Sequence, residues 1–211
     1  MKAKFGQKYP VLRDILSFLV FVLAVVVGTW VLNSFVFRSY NVVGGSMENT
    51  LKNGDRIIVN RMPVTGAHLT ENEYVPQRGQ IIVFANGGNE DTMNCRPLEG
   101  VSDKYIIKRV IAFPGERVEL KDGKLRIYNK ENPDGFDPDK ETRKSSDDGP
   151  KREISGEVDI VVPEGELFVS GDNREGSNSY DSRNGLGTIP FCRIVGPAAI
   201  RIYPFDKFRF F

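Results

Sequence analysis

Residues 15–37 read ILSFLVFVLAVVVGTWVLNSFVF, without one charged side chain. As an α-helix rising about 1.5 Å per residue, this run is about 34 Å long, enough to cross the hydrocarbon core of a bilayer. Its polar residues are Ser17, Thr29, Asn33 and Ser34, and none puts an ion into lipid. A cleaved secretory leader has a shorter apolar core with a small-x-small site behind it, and no such site precedes Arg38. A buried core helix would be shorter and apolar on one side only. The run therefore reads as a single-pass transmembrane anchor. Lys2, Lys4, Lys8 and Arg13 precede it, with only Asp14 opposing. That bias places residues 1–14 in the cytoplasm and residues 38–211 on the outer side of the plasma membrane.

Beyond the anchor, short apolar runs alternate with turn residues. Runs rich in Val, Ile, Phe and Tyr lie at 56–60, 80–85, 104–113, 116–120, 124–129, 158–162, 166–170 and 198–203, with the length and composition of strands. Pro114-Gly115 suits the centre of a type II turn. Asp122-Gly123 suits a tight hairpin between the runs on either side of it. No long helical period follows residue 38. The expected fold is mainly β: a coiled antiparallel sheet, barrel-like, carried on one N-terminal transmembrane helix. Residues 130–156, KENPDGFDPDKETRKSSDDGPKREISG, break the pattern. They read as a flexible loop or the tip of a small subdomain.

Scarcity narrows the chemistry. The chain has 29 basic and 28 acidic residues, a net charge of +1, which excludes the basic excess of a nucleic-acid binder. Its two cysteines, Cys95 and Cys192, make neither a zinc-ligand pattern nor a disulfide framework, although one bridge between them stays open. The single histidine, His68, lies in a loop-like context, MPVTGAHLT, and is read as solvated. A hydrolase built on this chain must therefore find another proton acceptor.

Two local features could supply one. In Gly44-Gly45-Ser46-Met47, two glycines allow close backbone approach and unusual dihedrals, so a hydroxyl can be exposed with N–H groups aimed at a developing oxyanion. The same tetrapeptide also suits an ordinary turn. In Tyr105-Ile106-Ile107-Lys108-Arg109-Val110-Ile111, strand alternation puts Ile106, Lys108 and Val110 on one face and Ile107, Arg109 and Ile111 on the other. Both cations then sit in apolar stripes, and for either one a solvent-facing or snorkelling position is the ordinary alternative. If Lys108 faces the core, desolvation brings its pKa down toward about 7–9, within reach of general-base work.

Taken in order, the segments resemble the type I signal peptidases, membrane-bound Ser-Lys proteases that remove signal peptides from exported proteins. The likeness rests on Gly45-Ser46-Met47-Glu48-Asn49-Thr50-Leu51, then Gly54-Asp55-Arg56-Ile57-Ile58-Val59, then the segment from Tyr105 through Lys108 to Glu116. It closes with Gly171-Asp172-Asn173-Arg174 and Ser179-Tyr180-Asp181-Ser182-Arg183. It covers most of the chain outside residues 130–156. The resemblance implies that Ser46 attacks the scissile carbonyl and Lys108 takes its proton. It implies that Ser179 orients the lysine, that Asp181 and Arg183 form a supporting ion pair, and that Asp172 and Asn173 shape a turn below the site. The Ser46 N–H would be one oxyanion donor. Substrate would add as a β-strand beside residues 41–44 and 104–107, with Val42, Gly44, Met47, Leu51 and Ile106 forming shallow pockets for small side chains.

The implied partners are preprotein signal peptides and membrane lipid. No nucleic acid, metal or cofactor is implied, and nothing bears on oligomeric state. Asn49 stands where the family usually has Pro. Gly44 stands where some members have an oxyanion-donating Ser. Two extra residues between Arg174 and Asp181 leave Ser177 as a rival to Ser179. Other readings are a self-cleaving Ser-Lys repressor, which would need a DNA-binding domain, and an inactive anchored binding module. The ending, Tyr203-Pro204-Phe205-Asp206-Lys207-Phe208-Arg209-Phe210-Phe211, mixes aromatics with cations. It suits either a second membrane contact or a last core strand.

Overall fold

The computed structural model describes residues 10–86, 105–140 and 154–211. The apolar run forms α1 (Pro10–Val31), none of whose residues is buried. A 22-residue helix apolar on every side has no reason to remain in water, and its 33 Å or so of length suits lipid. It begins at Pro10 rather than Ile15 and passes through a π-helical turn (Leu32–Val36) directly into β1 (Phe37–Asn41). Phe37 is therefore already part of a sheet.

Among the described residues, the regular elements that follow are β apart from one short helix and two 3-10 turns. In order come β2 (Arg56–Asn60), α2 (Met62–Leu69), β3 (Ile81–Ala85), β4 (Tyr105–Ala112), β5 (Arg117–Lys121), β6 (Lys124–Tyr128), β7 (Val158–Val161), β8 (Glu166–Ser170), β9 (Ile189–Pro190), β10 (Ile194–Tyr203) and β11 (Arg209–Phe210). The large sheet runs β1-β2-β10-β3-β4-β8-β9, with β11 also on β10, and the small sheet runs β6-β5-β7. Their strand pairs are antiparallel. The large sheet curls into a half-barrel, helped by bulges in the β10 and β4 pairings. This is the mainly β, coiled architecture expected.

Turn chemistry behaves as its residues dictate. Gly115 has φ +78° and Glu116 N–H bonds Phe113 O at 3.1 Å, as a type II turn requires. Asp122 and Gly123 both have positive φ, 50° and 69°, the signature of the two-residue hairpin turn between β5 and β6. β1 and β9 were not foreseen; they are short strands at the two edges of the large sheet. β11 falls within residues 203–211, where a last strand was one of the two readings. His68 lies in α2, not in a loop; Pro63 in its first turn suits a helix start.

Of residues 130–156, those at 130–134 are exposed, while other described residues pack on the sheets. Phe136 bridges to Ile127, Ile154 joins the core shared by the two sheets, and Asp139 is buried against Arg174. Cys192 is disulfide-bonded; Cys95 lies outside the described residues.

Candidate active site

Ser46 sits on the turn that joins β1 to β2. The β1–β2 ladder continues past its strand ends, with Val42 N–H to Asp55 O at 2.8 Å and Gly54 N–H to Val42 O at 2.9 Å. The turn is then held from inside and out. Met47 and Leu51 are buried in one cluster with Val42, Ile57, Val59 and Val83. Gly44 N–H bonds Asn53 Oδ1 at 3.0 Å. From across the sheet, Asn173 clamps the nucleophile itself: its N–H reaches Ser46 O at 3.0 Å and its Nδ2 reaches Gly45 O at 3.1 Å. Asn173 thus fixes the turn above it, besides shaping its own.

Lys108 comes from β4, and its Nζ lies 2.8 Å from Ser46 Oγ and 2.9 Å from Ile107 O. The side chain is 3% exposed. Burial disfavours the ammonium and brings its pKa from an ordinary 10.5 to about 8; Asp181 and Asp172 pull it upward, and Arg183 pushes it down. A serine hydroxyl beside an amine that is neutral in mildly alkaline water has the geometry and the charge that a nucleophile and its base require.

Neither cation of β4 faces solvent, because each finds a partner far away in sequence. Arg109, 6% exposed, forks onto Asp172, with Nε to Oδ1 at 2.7 Å. Asp172 also accepts from the Thr50 hydroxyl. This network ties the end of the nucleophile turn to the strand that carries Lys108. Arg201 adds a second tie, donating to Thr50 O at 3.0 Å and to Asp55 at 3.2 Å.

The segment after β8 closes the other side. Asp181 and Arg183 form a fully buried pair at 2.9 Å. Asp181 also accepts from Ser170 Oγ at 3.0 Å and from Gly171 N–H at 2.9 Å. Burial would raise its pKa, but the Arg183 guanidinium, with help from the Ser179 hydroxyl and Gly171 N–H, holds it below the ordinary carboxylate range. Ser179 is fully buried. Its hydroxyl lies near enough to Asp181 to favour the charged carboxylate. Ser177 is exposed. Gly171 lies at the end of β8, beside Ser170. A Cβ there would collide with both Ser179 Oγ and Ser46 O, so only a hydrogen side chain lets those groups converge. Nothing local in the sequence signals this.

A cavity of about 520 Å³ opens in front of the pair. Val42, Gly44 and Ile106 line it, with Ile57 and Val83 beneath and Asn178 and Tyr180 at the Ser46 end. Met47 and Leu51 do not line it; they belong to the core that supports it. Tyr40 and Tyr105, rings 5.0 Å apart, border it under the Arg38 guanidinium, 5.8 and 5.3 Å from their centroids. These three, and Asn178 and Tyr180, were not singled out beforehand. One wall is a strand edge: β4 pairs with β3 from Tyr105 onward, but its β8 ladder begins only at Arg109. His68 is not part of this cavity.

The family model described as signal peptidase, peptidase S26, matches residues 12–203. Signal peptidase I T of Bacillus subtilis is 35% identical over 178 residues, covering 83% of this chain and 78% of that protein. Signal peptidase IB of Staphylococcus aureus strain COL is 28% identical over 208 residues, covering 93% of this chain and 94% of that protein. Among solved structures, a signal peptidase I from Enterococcus faecalis is 28% identical, covering 58% of this chain and 96% of that one, with a TM-score of 0.35.

Proposed function

The chain belongs to the signal peptidase family, peptidase S26, and from that premise we propose a membrane-anchored serine endopeptidase with a Ser46–Lys108 dyad. It removes N-terminal signal peptides from exported preproteins after small residues, at Ala-x-Ala-like sites. The observation that carries this reading is the 2.8 Å approach of Lys108 Nζ to Ser46 Oγ, made by a lysine whose pKa lies at about 8.

Neutral Lys108 accepts the Ser46 proton as Oγ attacks the scissile carbonyl. It then protonates the leaving amine, and later activates the water that releases the acyl group. The Ser46 N–H, which has no acceptor among the described residues, supplies one oxyanion donor. Gly44 offers no hydroxyl for a second. Ser179 is assigned the orienting of the lysine, while Asp181 and Arg183 hold the segment that carries Ser179. The substrate enters extended, between residues 41–44 and the open edge of β4, as an added strand. Val42, Ile57 and Val83 leave an apolar floor that favours small side chains and rejects large ones by clash. α1 spans the plasma membrane with the N-terminus cytoplasmic and the β domain outside.

Purified full-length chain in detergent is expected to cut a preprotein after its small-x-small site. The base must be neutral, so kcat/KM rises with pH through the Lys108 pKa, with an ascending limb centred at about 8. A limb at pH 10 or above would mean a solvated lysine and would remove the mechanism. A limb near 6.5 that disappears in His68→Ala would assign the base to histidine instead.

The aromatic C-terminus forms β11 and still leaves its rings outside: Phe205 is 82% and Phe210 67% exposed. Lys207 and Arg209 lie between these phenylalanines. We assign this edge to the headgroup region of the bilayer. Deleting it would also remove the Lys207 carbonyl that accepts from Arg201 at 2.7 Å, so substitution is the cleaner test. Span-deleted protein carrying Phe205→Ser, Phe208→Ser and Phe210→Ser is expected to bind anionic vesicles about tenfold or more weakly than its parent. Equal binding would reject the contact.

A further inference from the structure

Arg174 and Asp139 are almost wholly enclosed, 0% and 1% exposed. They meet as a two-pronged fork, with Arg174 Nη1 to Asp139 Oδ2 at 2.6 Å and Nη2 to Oδ1 at 2.9 Å. Such a pair withstands burial only when its geometry is good and its other donors are met. Here the Nε donor goes to Gly171 O at 2.6 Å. Asp139 lies outside the motifs that carry the family likeness, yet its place is well fixed. Phe136 exchanges both backbone hydrogen bonds with Ile127 of β6, each at 3.0 Å. Three residues on, Asp139 N–H closes onto Asp137 Oδ1 at 2.9 Å, and Pro138 between them restricts φ.

The other end of the fork reaches the site. Gly171 is gripped on both sides: its N–H donates to Asp181 at 2.9 Å, and its carbonyl accepts from Arg174. Between those two bonds lies the Cα that packs against Ser46 O and Ser179 Oγ. Asn173, next to Arg174, donates its N–H to Ser46 O at 3.0 Å and its Nδ2 to Gly45 O at 3.1 Å. The Arg174 carbonyl accepts from Arg183 Nη1 at 3.0 Å. The 171–174 turn therefore bears on the nucleophile at one end and on the Asp139 carboxylate at the other.

We propose that Asp139 is a positioning residue: through Arg174 it holds the 171–174 turn against Ser46, and so aligns the hydroxyl with Lys108 Nζ. The inference rests on the Ser46–Lys108 reading above and adds what holds that pair in register. Without the carboxylate, the buried guanidinium turns toward other acceptors and Gly171 O is released. The turn then shifts by a fraction of an ångström, which is enough to slow a reaction that depends on near-contact geometry. Substrate is bound by other walls, Val42, Ile57, Val83 and Ile106, so the loss falls on kcat.

The test uses full-length protein in detergent and a small-x-small peptide at about pH 9.5, above the ascending limb, so that Lys108 is mostly neutral. Asp139→Asn is expected to lower kcat about tenfold or more with KM within about twofold. Asp159→Asn, which breaks an exposed pair with Arg117 on the same small sheet, should leave both within about twofold. A structural role is separated by Asp139→Leu with Arg174→Met, because replacing a buried ion pair by apolar side chains often keeps or raises stability. That double variant is expected to melt no lower than Asp139→Asn and still to show the kcat loss. A folded variant of either kind with wild-type kcat, or a loss confined to KM, overturns the proposal. Loss of the fold in both variants makes the pair a folding element and overturns it as well. In each case a wild type that cuts the peptide, and a Ser46→Ala protein that does not, leave the dyad reading standing; a wild type that cuts nothing removes that reading instead.

Discussion

Ser46→Ala and Lys108→Ala are each expected to abolish cleavage of a small-x-small peptide, lowering kcat/KM by about 10⁴-fold or more, the scale on which removing a nucleophile or its base acts in serine proteases. The double variant is expected to be no worse than either single one, because the two groups act as a unit. Ser46 Oγ and Lys108 Nζ are 2.8 Å apart, and no histidine shares their cavity, so His68→Ala should leave kcat/KM within about twofold. Lys108→Met separates chemistry from folding. Below pH 8 the folded protein holds an ammonium where burial disfavours it, since its pKa falls from 10.5 to about 8. That cost is fully present below pH 8 and disappears as pH rises toward 10.5. The methionine variant should therefore be inactive yet more stable than wild type at neutral pH, by up to about 3 kcal/mol, with the advantage gone at high pH. Wild-type activity in a folded Ser46→Ala or Lys108→Ala protein would end the dyad assignment.

Gly171→Ala, one methyl group on a residue that performs no chemistry, is expected to cost about 100-fold or more in kcat/KM. The new Cβ would overlap Ser179 Oγ and Ser46 O, and would come 2.8 Å from Ser179 Cβ. Side chains can rotate away, but Ser46 O belongs to the backbone of the nucleophile and is held there by Asn173 N–H at 3.0 Å. Relief must then move the Ser46 turn or the β8 end, and Lys108 loses its alignment with the hydroxyl. The effect should appear mainly in kcat, with KM little changed, because the cavity walls at Val42 and Ile106 are not displaced directly. Far-ultraviolet circular dichroism checks that the sheet survives. A folded Gly171→Ala enzyme at the wild-type rate would show that the convergence at Gly171 does not position the pair.

The resemblance picked out Ser46, Lys108, Ser179, Asp181 and Arg183 from ordered motifs, and the structure brings them within one neighbourhood. It also proposed Met47 and Leu51 as pocket walls, and they are core residues beneath the pocket. An apolar residue next to a nucleophile reads the same in sequence whether it points to substrate or to the interior. Thr50, Arg109 and Gly171 carried no separate signal, since each acts on groups far from it along the chain. Thr50 and Asp172 are 122 residues apart.

What the sequence determined alone was short-range. An uncharged apolar run long enough for a bilayer admits one environment, and the period of two in the strands reports burial on one or both faces. Pro114-Gly115 and Asp122-Gly123 set their turns because few residues tolerate the required φ. What only the tertiary structure decided was which charges could be buried. Strand alternation put Lys108 and Arg109 on opposite faces and left both open to solvent in principle. Asp172 arrived from the end of β8 to pair with Arg109, while Lys108 was enclosed with its amine against Ser46 and no carboxylate in contact. A buried cation with a bonded carboxylate stays charged, and one without loses its proton more readily. That difference, which in the proposed mechanism makes one of two adjacent basic residues a base and the other a strut, depends on contacts between chain segments more than sixty residues apart.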